Sequence, residues 1–188
     1  MRIEATSEAC GATVTGIDLS VDVSESDLAT LRAAWLEHHV LVFPDQELSD
    51  DDLVRITNYL GGVGDDPFFV PISSSSPVVA LTRRADEKAP VFAEAWHTDW
   101  SFKAEPPIGT CLYSLVIPPV GGDTGFINQE KALADMPASL RAKLNDKVGL
   151  HSAAVAYAPD GVYGEKEEAS DRSMKILYSE DARNVQAH

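Results

Sequence analysis

The run from Ile108 to Ile117 constrains the fold most. It carries β-branched and large apolar residues, with Pro106-Pro107 before it and Pro118-Pro119 after it. Prolines punctuate rather than continue regular structure, so the run reads as one long strand between two breaks. Gly121-Gly122 then permit a sharp turn into a short strand from Thr124 to Asn128. Further strands are expected at Arg2–Ala5, Ala12–Ile17, Pro77–Thr82 and Val148–Ala156, with Val40–Phe43 as a buried one. Helices are expected after Ser24-Glu25-Ser26-Asp27 and after Ser49, both with N-cap chemistry. The first has Leu28, Leu31, Ala34, Trp35 and His38 on one stripe; the second has Leu53, Ile56 and Leu60 and stops at Gly61-Gly62. Two short helices follow, at Glu130–Asp135 and Pro137–Leu144. Many strands with interspersed short helices predict a mostly β chain with flanking helices (α+β).

Three segments read as loops. Gly64–Ser76 holds two prolines and a serine run, with Phe68 and Phe69 as candidate pocket walls. Arg83–Pro90 is charged and expected in solvent. Pro159–Arg172 is acidic and poor in large apolar residues, which reads as a flexible surface loop or a lid. The chain then runs to Gln186-Ala187-His188 with no terminal element expected.

The formal net charge of −15 argues against nucleic-acid and anionic-membrane partners. No apolar run reaches the length of a membrane span, and Met1-Arg2-Ile3-Glu4 has no signal-peptide pattern. Cys10 and Cys111 fit no metal or redox spacing, so reduced, buried thiols in a cytoplasmic protein are expected.

Chemistry concentrates in Trp96-His97-Thr98-Asp99-Trp100-Ser101-Phe102. On a strand, residues i and i+2 share a face, so His97 and Asp99 can converge on one point. That is two thirds of a 2-His-1-carboxylate set for non-haem Fe(II), and the aromatic flanks are expected to keep it dry. Taken alone, the triplet fits a strand-end histidine hydrogen-bonded to a carboxylate better than it fits a metal site. His38 and His39 read as core or surface residues. In Gly121-Gly122-Asp123-Thr124, the threonine can present its hydroxyl to a carboxylate-bearing ligand; alone this is a hairpin turn.

Together these pieces carry a resemblance. "WHTDWSF", a proline pair and a strand, then "PPVGGDTGFINQEKALADMP", resemble the TauD/TfdA family of taurine-dioxygenase-like enzymes. "GATVTGIDLS" and "HHVLVFPDQELSDDDLVRITNYLG" are similar to its N-terminal half, so the likeness runs from about Gly11 to Leu150. The resemblance implies a double-stranded β-helix, a jelly-roll relative of the cupins, and a single domain over residues 1–188. It implies Fe(II), 2-oxoglutarate as co-substrate and O2. His97 and Asp99 match the first two iron ligands, and Thr124 matches the threonine that contacts 2-oxoglutarate. The implied reaction hydroxylates a small organic acid, such as a sulfonate or aryloxyalkanoate, with release of succinate and CO2. Loops at Asp65–Ser76 and Ala158–Arg172 are implied to select the substrate.

The chain departs from the family pattern in three ways. The distal histidine and the arginine for the far carboxylate of 2-oxoglutarate lie in closing strands with no counterpart here, so the β-helix is expected to be incomplete. His151 matches a family histidine that is not a ligand, and His188, Arg172 and Arg183 lack the expected context. Ala93 stands where some members carry an asparagine that touches the co-substrate. Two other classes stay open: an inactive remnant acting as a weak metal-binding or interaction module, and a zinc hydrolase built on His97 and Asp99. Unclosed sheet edges lead to the expectation of a homo-oligomer.

Overall fold

The computed structural model describes residues 1–168 and 171–188. The chain divides into two compact units, each built from two separated stretches. Unit 1 comprises residues 1–62 and 111–146; unit 2 comprises residues 63–110 and 147–188.

Unit 1 starts with β1 (Arg2–Ala5) and β2 (Ala12–Thr15), an antiparallel pair in the register Ile3 opposite Val14. The parallel neighbour of β2 is the two-residue β3 (Leu41–Val42). Between them runs α1 (Glu25–His38), with Ser24 as its N-cap accepting from the Asp27 N–H. Leu31 and Ala34 are buried from the expected stripe, and Val14 is fully buried. His39 caps α1 at φ 64°. The expected buried strand Val40–Phe43 shrinks to β3, and Val42 is exposed.

The second helix, α2 (Asp50–Leu60), has a full capping box. The Ser49 side chain accepts from the Asp52 N–H, and the Asp52 carboxylate accepts from the Ser49 N–H. Those bonds and Arg55 hold the Asp52 carboxyl down at about 2. Two more helices, α3 (Gln129–Ala134) and α4 (Ala138–Leu144), fall where expected. Two polar ties join the halves of unit 1. The Tyr113 hydroxyl donates to Gln46 O and accepts from the Leu48 N–H, and Asn128 Nδ2 donates to Ala9 O at 2.7 Å.

Unit 2 contains β4 (Leu150–Ser152), α5 (Ala154–Tyr157), α6 (Glu165–Glu168), a 3-10 turn (Glu180–Arg183) and β5 (Val185–Ala187). The expected strand Val148–Ala156 is therefore split, and the last residues form a strand after all, antiparallel to β4. The core is aromatic. Phe68 stacks on Tyr157 at 4.2 Å between centroids and meets Trp100 and Phe102, over buried Ala153, Ala158 and Ala182. Phe68 is thus core rather than pocket wall.

The loop expectations need two corrections. In Arg83–Pro90, Glu87 and Ala89 are buried. The Glu87 carboxylate accepts from the Ser173 N–H at 2.9 Å and from the Ser173 hydroxyl, and it pairs with Arg83. The Ser173 hydroxyl holds its carboxyl below the usual range. Residues 158–165 form hydrogen-bonded turns: the Val162, Tyr163 and Glu165 N–H groups donate to the Val155, Ala156 and Pro159 carbonyls. The expected lid over 159–172 includes positions 169 and 170, which lie outside the described residues.

Among the described residues, Pro77–Thr82, Ile108–Ile117 and Thr124–Asn128 form no strand. A strand exists only with a continuous ladder of backbone partners; among the described residues Pro77–Thr82 receives a single such bond, from the Ile72 N–H to Val78 O at 2.9 Å. The described chain has two small sheets, of three and two strands, and no closed barrel. The thiols are free; Cys10 is half-buried and Cys111 exposed, against the expectation of buried cysteines. No helix of the described residues is long and apolar enough to cross a membrane.

Candidate metal centre

His97 and Asp99 lie in unit 2, in irregular and turn backbone rather than on a strand. Convergence does not come from strand alternation. Trp100 takes φ 55°, and the Lys103 N–H closes onto Trp100 O at 2.9 Å, so the chain reverses just past Asp99. His97 Nε2 nevertheless stands 3.0 Å from Asp99 Oδ1.

The outer atoms of both side chains are engaged. His97 Nδ1 lies 2.8 Å from Ala95 O, a contact in which the ring N–H donates to the carbonyl. That bond directs the Nε2 face of the ring toward Asp99, as a metal-binding imidazole requires. Asp99 Oδ2 accepts from the Thr110 hydroxyl at 2.8 Å. Thr110 carries no motif of its own; its place eleven residues downstream was visible in the sequence only as part of the Ile108–Ile117 run.

The aromatic flanks divide between two roles. Trp100 and Phe102 turn into the core, with ring centroids 5.4 Å apart. Trp96 is 71% exposed, and the His97 and Asp99 side chains are 52% and 49% exposed. The pair is wet, contrary to the expected dry centre.

Other candidates are occupied elsewhere. The His151 and His188 rings meet edge-to-face at 5.5 Å, and His188 Nε2 lies 3.1 Å from both Ser101 O and Lys103 O. Arg183 pairs with Asp160 and Glu180, beside an open cavity of about 470 Å³ lined by Ala154, Val155, Gly161 and Val162. Arg172 donates to Pro90 O and lies over the Tyr163 ring. Ala93 takes φ 55°. Thr124 is exposed and belongs to unit 1, whereas His97 and Asp99 belong to unit 2.

For a divalent cation the donor chemistry fits as far as it goes: one imidazole nitrogen and one carboxylate oxygen aimed at each other, both braced from behind. Among the described residues no group of three or more His, Cys, Asp or Glu side chains comes together, so a third protein ligand is not supplied there.

The chain is 29% identical over 160 residues to an (S)-phenoxypropionate/alpha-ketoglutarate-dioxygenase of Delftia acidovorans, covering 81% of this chain and 54% of that protein. It is 31% identical over 170 residues to an alkylsulfatase of Acinetobacter baylyi, covering 90% and 52%. A crystal structure of a taurine dioxygenase from Burkholderia xenovorans superposes with a TM-score of 0.57 at 26% identity, covering 80% of this chain and 54% of that one. The chain thus spans about half the length of the curated relatives it matches. The family model described as taurine catabolism dioxygenase TauD, TfdA family matches residues 2–184, and the chain belongs to that family.

Proposed function

We propose that this chain forms part of an Fe(II)- and 2-oxoglutarate-dependent dioxygenase that hydroxylates a small organic acid. The observation that carries the proposal is the braced pair, with His97 Nε2 3.0 Å from Asp99 Oδ1. Relatives named for alpha-ketoglutarate dependence and for acting on phenoxypropionate and sulfate esters support the cofactor and substrate class. The double-stranded β-helix and the single domain over residues 1–188 belong to the same proposal.

In this proposal His97 Nε2 and Asp99 Oδ1 hold the metal. The Ala95 carbonyl keeps the imidazole in the tautomer that leaves Nε2 free to ligate, and Thr110 restrains the carboxylate. Thr124 donates its hydroxyl to a carboxylate oxygen of 2-oxoglutarate. When bound, the iron and co-substrate supply O2 activation, with one oxygen atom entering the substrate and the other entering succinate as CO2 leaves. Because the pair is wet, closing the site against water falls to elements other than Trp96.

The test is an anaerobic titration of the folded chain with Fe(II) and 2-oxoglutarate, following the visible charge-transfer band of the chelate. A band lost in both His97→Ala and Asp99→Ala supports the assignment. A band that survives both substitutions moves the metal elsewhere. A folded chain with no band favours the remnant that binds metal only weakly.

A further inference from the structure

The polypeptide that leads to His97 has no regular structure of its own. Among the described residues, no helix or strand lies between α2 and His97, and the backbone of residues 90–97 makes no hydrogen bond to another backbone group. Such a stretch takes its position from the places where side chains tie it down.

The ties that reach it from farthest along the chain come from Tyr163 and Arg172, in the same unit. The Ala93 N–H donates to the Tyr163 hydroxyl at 3.4 Å, and the Phe92 and Tyr163 rings stand 5.5 Å apart. Arg172 Nη2 donates to Pro90 O at 2.9 Å, and the guanidinium lies 5.0 Å from the centre of the Tyr163 ring. Ala93 holds φ 55°, a left-handed value that persists in a residue other than glycine only where the surroundings enforce it.

Arg172 is itself braced, because both of its neighbours are held by the stretch that precedes Pro90. Arg84 Nη2 donates to Asp171 O at 2.8 Å, and the Ser173 N–H donates to the Glu87 carboxylate at 2.9 Å. The Glu87 side chain is 1% exposed and also pairs with Arg83. A buried carboxylate with donors on both stretches joins them firmly, since parting them leaves its charge short of partners.

This series of contacts runs up to the candidate metal ligand. Two residues past Ala93, the Ala95 carbonyl accepts from His97 Nδ1 and so turns Nε2 toward Asp99. We propose that Tyr163 and Arg172 are positioning residues for His97: they hold Pro90–Ala93 so that the Ala95 carbonyl meets the imidazole. This rests on the reading of His97 as a metal ligand. Removing the Arg172 cation by itself favours a bound metal ion. A loss of affinity on its removal therefore runs against the electrostatic trend and reports position.

The test is a Mn(II) titration of the chain, read by the electron paramagnetic resonance signal of the free ion, with amide hydrogen exchange on the metal-free protein. Tyr163→Phe deletes a single oxygen atom; it should weaken Mn(II) binding about fivefold and speed exchange of the Ala93 amide. Arg172→Met should weaken binding by a similar factor, and Arg172→Lys, which keeps a donor for Pro90 O, should recover most of the loss. Circular dichroism checks that each variant is folded, and Tyr163→Phe decides alone if Arg172→Met is not. Unchanged affinity in Tyr163→Phe or in folded Arg172→Met, with wild-type binding lost in His97→Ala, overturns the positioning role and leaves the metal assignment standing. A wild-type chain that binds no Mn(II), or binding that survives His97→Ala, overturns the metal assignment and the positioning role with it.

Discussion

Thr110 Oγ1 donates to Asp99 Oδ2 across 2.8 Å, which fixes the carboxylate whose other oxygen faces His97. Partners behind a metal ligand typically contribute 10–100-fold to affinity. Thr110→Val removes the donor at nearly constant volume. Divalent-metal affinity, measured by competition with a chromophoric chelator, should fall about tenfold, at the low end of that range because the pair is exposed. Equal affinity in Thr110→Val and the wild type would remove Thr110 from the site.

Gly164 sits where a side chain has no room. A Cβ there would lie 2.1 Å from Pro159 O and 2.5 Å from Ala158 O, both backbone atoms. Gly164→Ala must therefore open the turns over 158–165, at a cost of roughly 1–3 kcal/mol. A urea denaturation midpoint matching the wild type would show that this segment is looser than its hydrogen bonds imply.

Acid should weaken the chain partly through α2. The Asp52 carboxyl titrates at about 2, below the ~3.9 of an unfolded aspartate. A folded value below the unfolded one gives stability that is complete above about 4 and lost as pH falls through about 2. Ser49→Ala removes the hydroxyl that holds Asp52 down and should lower stability at neutral pH by about 1 kcal/mol. Melting curves from pH 2 to 7 should show the difference between the two proteins narrowing toward the acid end. A constant difference would exclude the capping box as the pH-dependent element.

Alkali acts on unit 2. Burial pushes the Tyr157 hydroxyl well above its ordinary value, with Tyr163, Asp66 and Asp99 adding to the shift. The folded state thus favours the neutral phenol, so stability is full below about 10 and falls as the unfolded chain ionises. Tyr157→Phe keeps the ring that stacks on Phe68 and should flatten the decline in melting temperature between pH 9 and 11. An undiminished decline would place the alkaline sensitivity elsewhere.

What the sequence disclosed divides along physical lines. The first two helices were legible to their caps because a helix satisfies its own backbone; Ser24 and Ser49 bond within three residues of themselves. The runs at Pro77–Thr82, Ile108–Ile117 and Thr124–Asn128 have strand composition, yet pairing depends on a partner that no local pattern reveals. Glu87 was read as solvent-facing because the donors that satisfy it, on Ser173, are 86 residues away. At the candidate site the motif singled out His97 and Asp99, whose side chains do meet at 3.0 Å, but in irregular and turn backbone rather than on the strand the spacing suggested. Thr110 was hidden, because a hydroxyl in an apolar run carries no signature.

The two units interleave along the chain, unit 1 resuming at residue 111 and unit 2 at residue 147. A ribosome therefore delivers the first stretch of each unit before the second stretch of either. Unit 1 cannot be finished before residue 146 emerges, and unit 2 waits for the rest. No single cut frees either unit whole. A protease nick near either resumption point would separate stretches that only non-covalent contacts then hold together, so limited proteolysis should release paired fragments rather than one stable core.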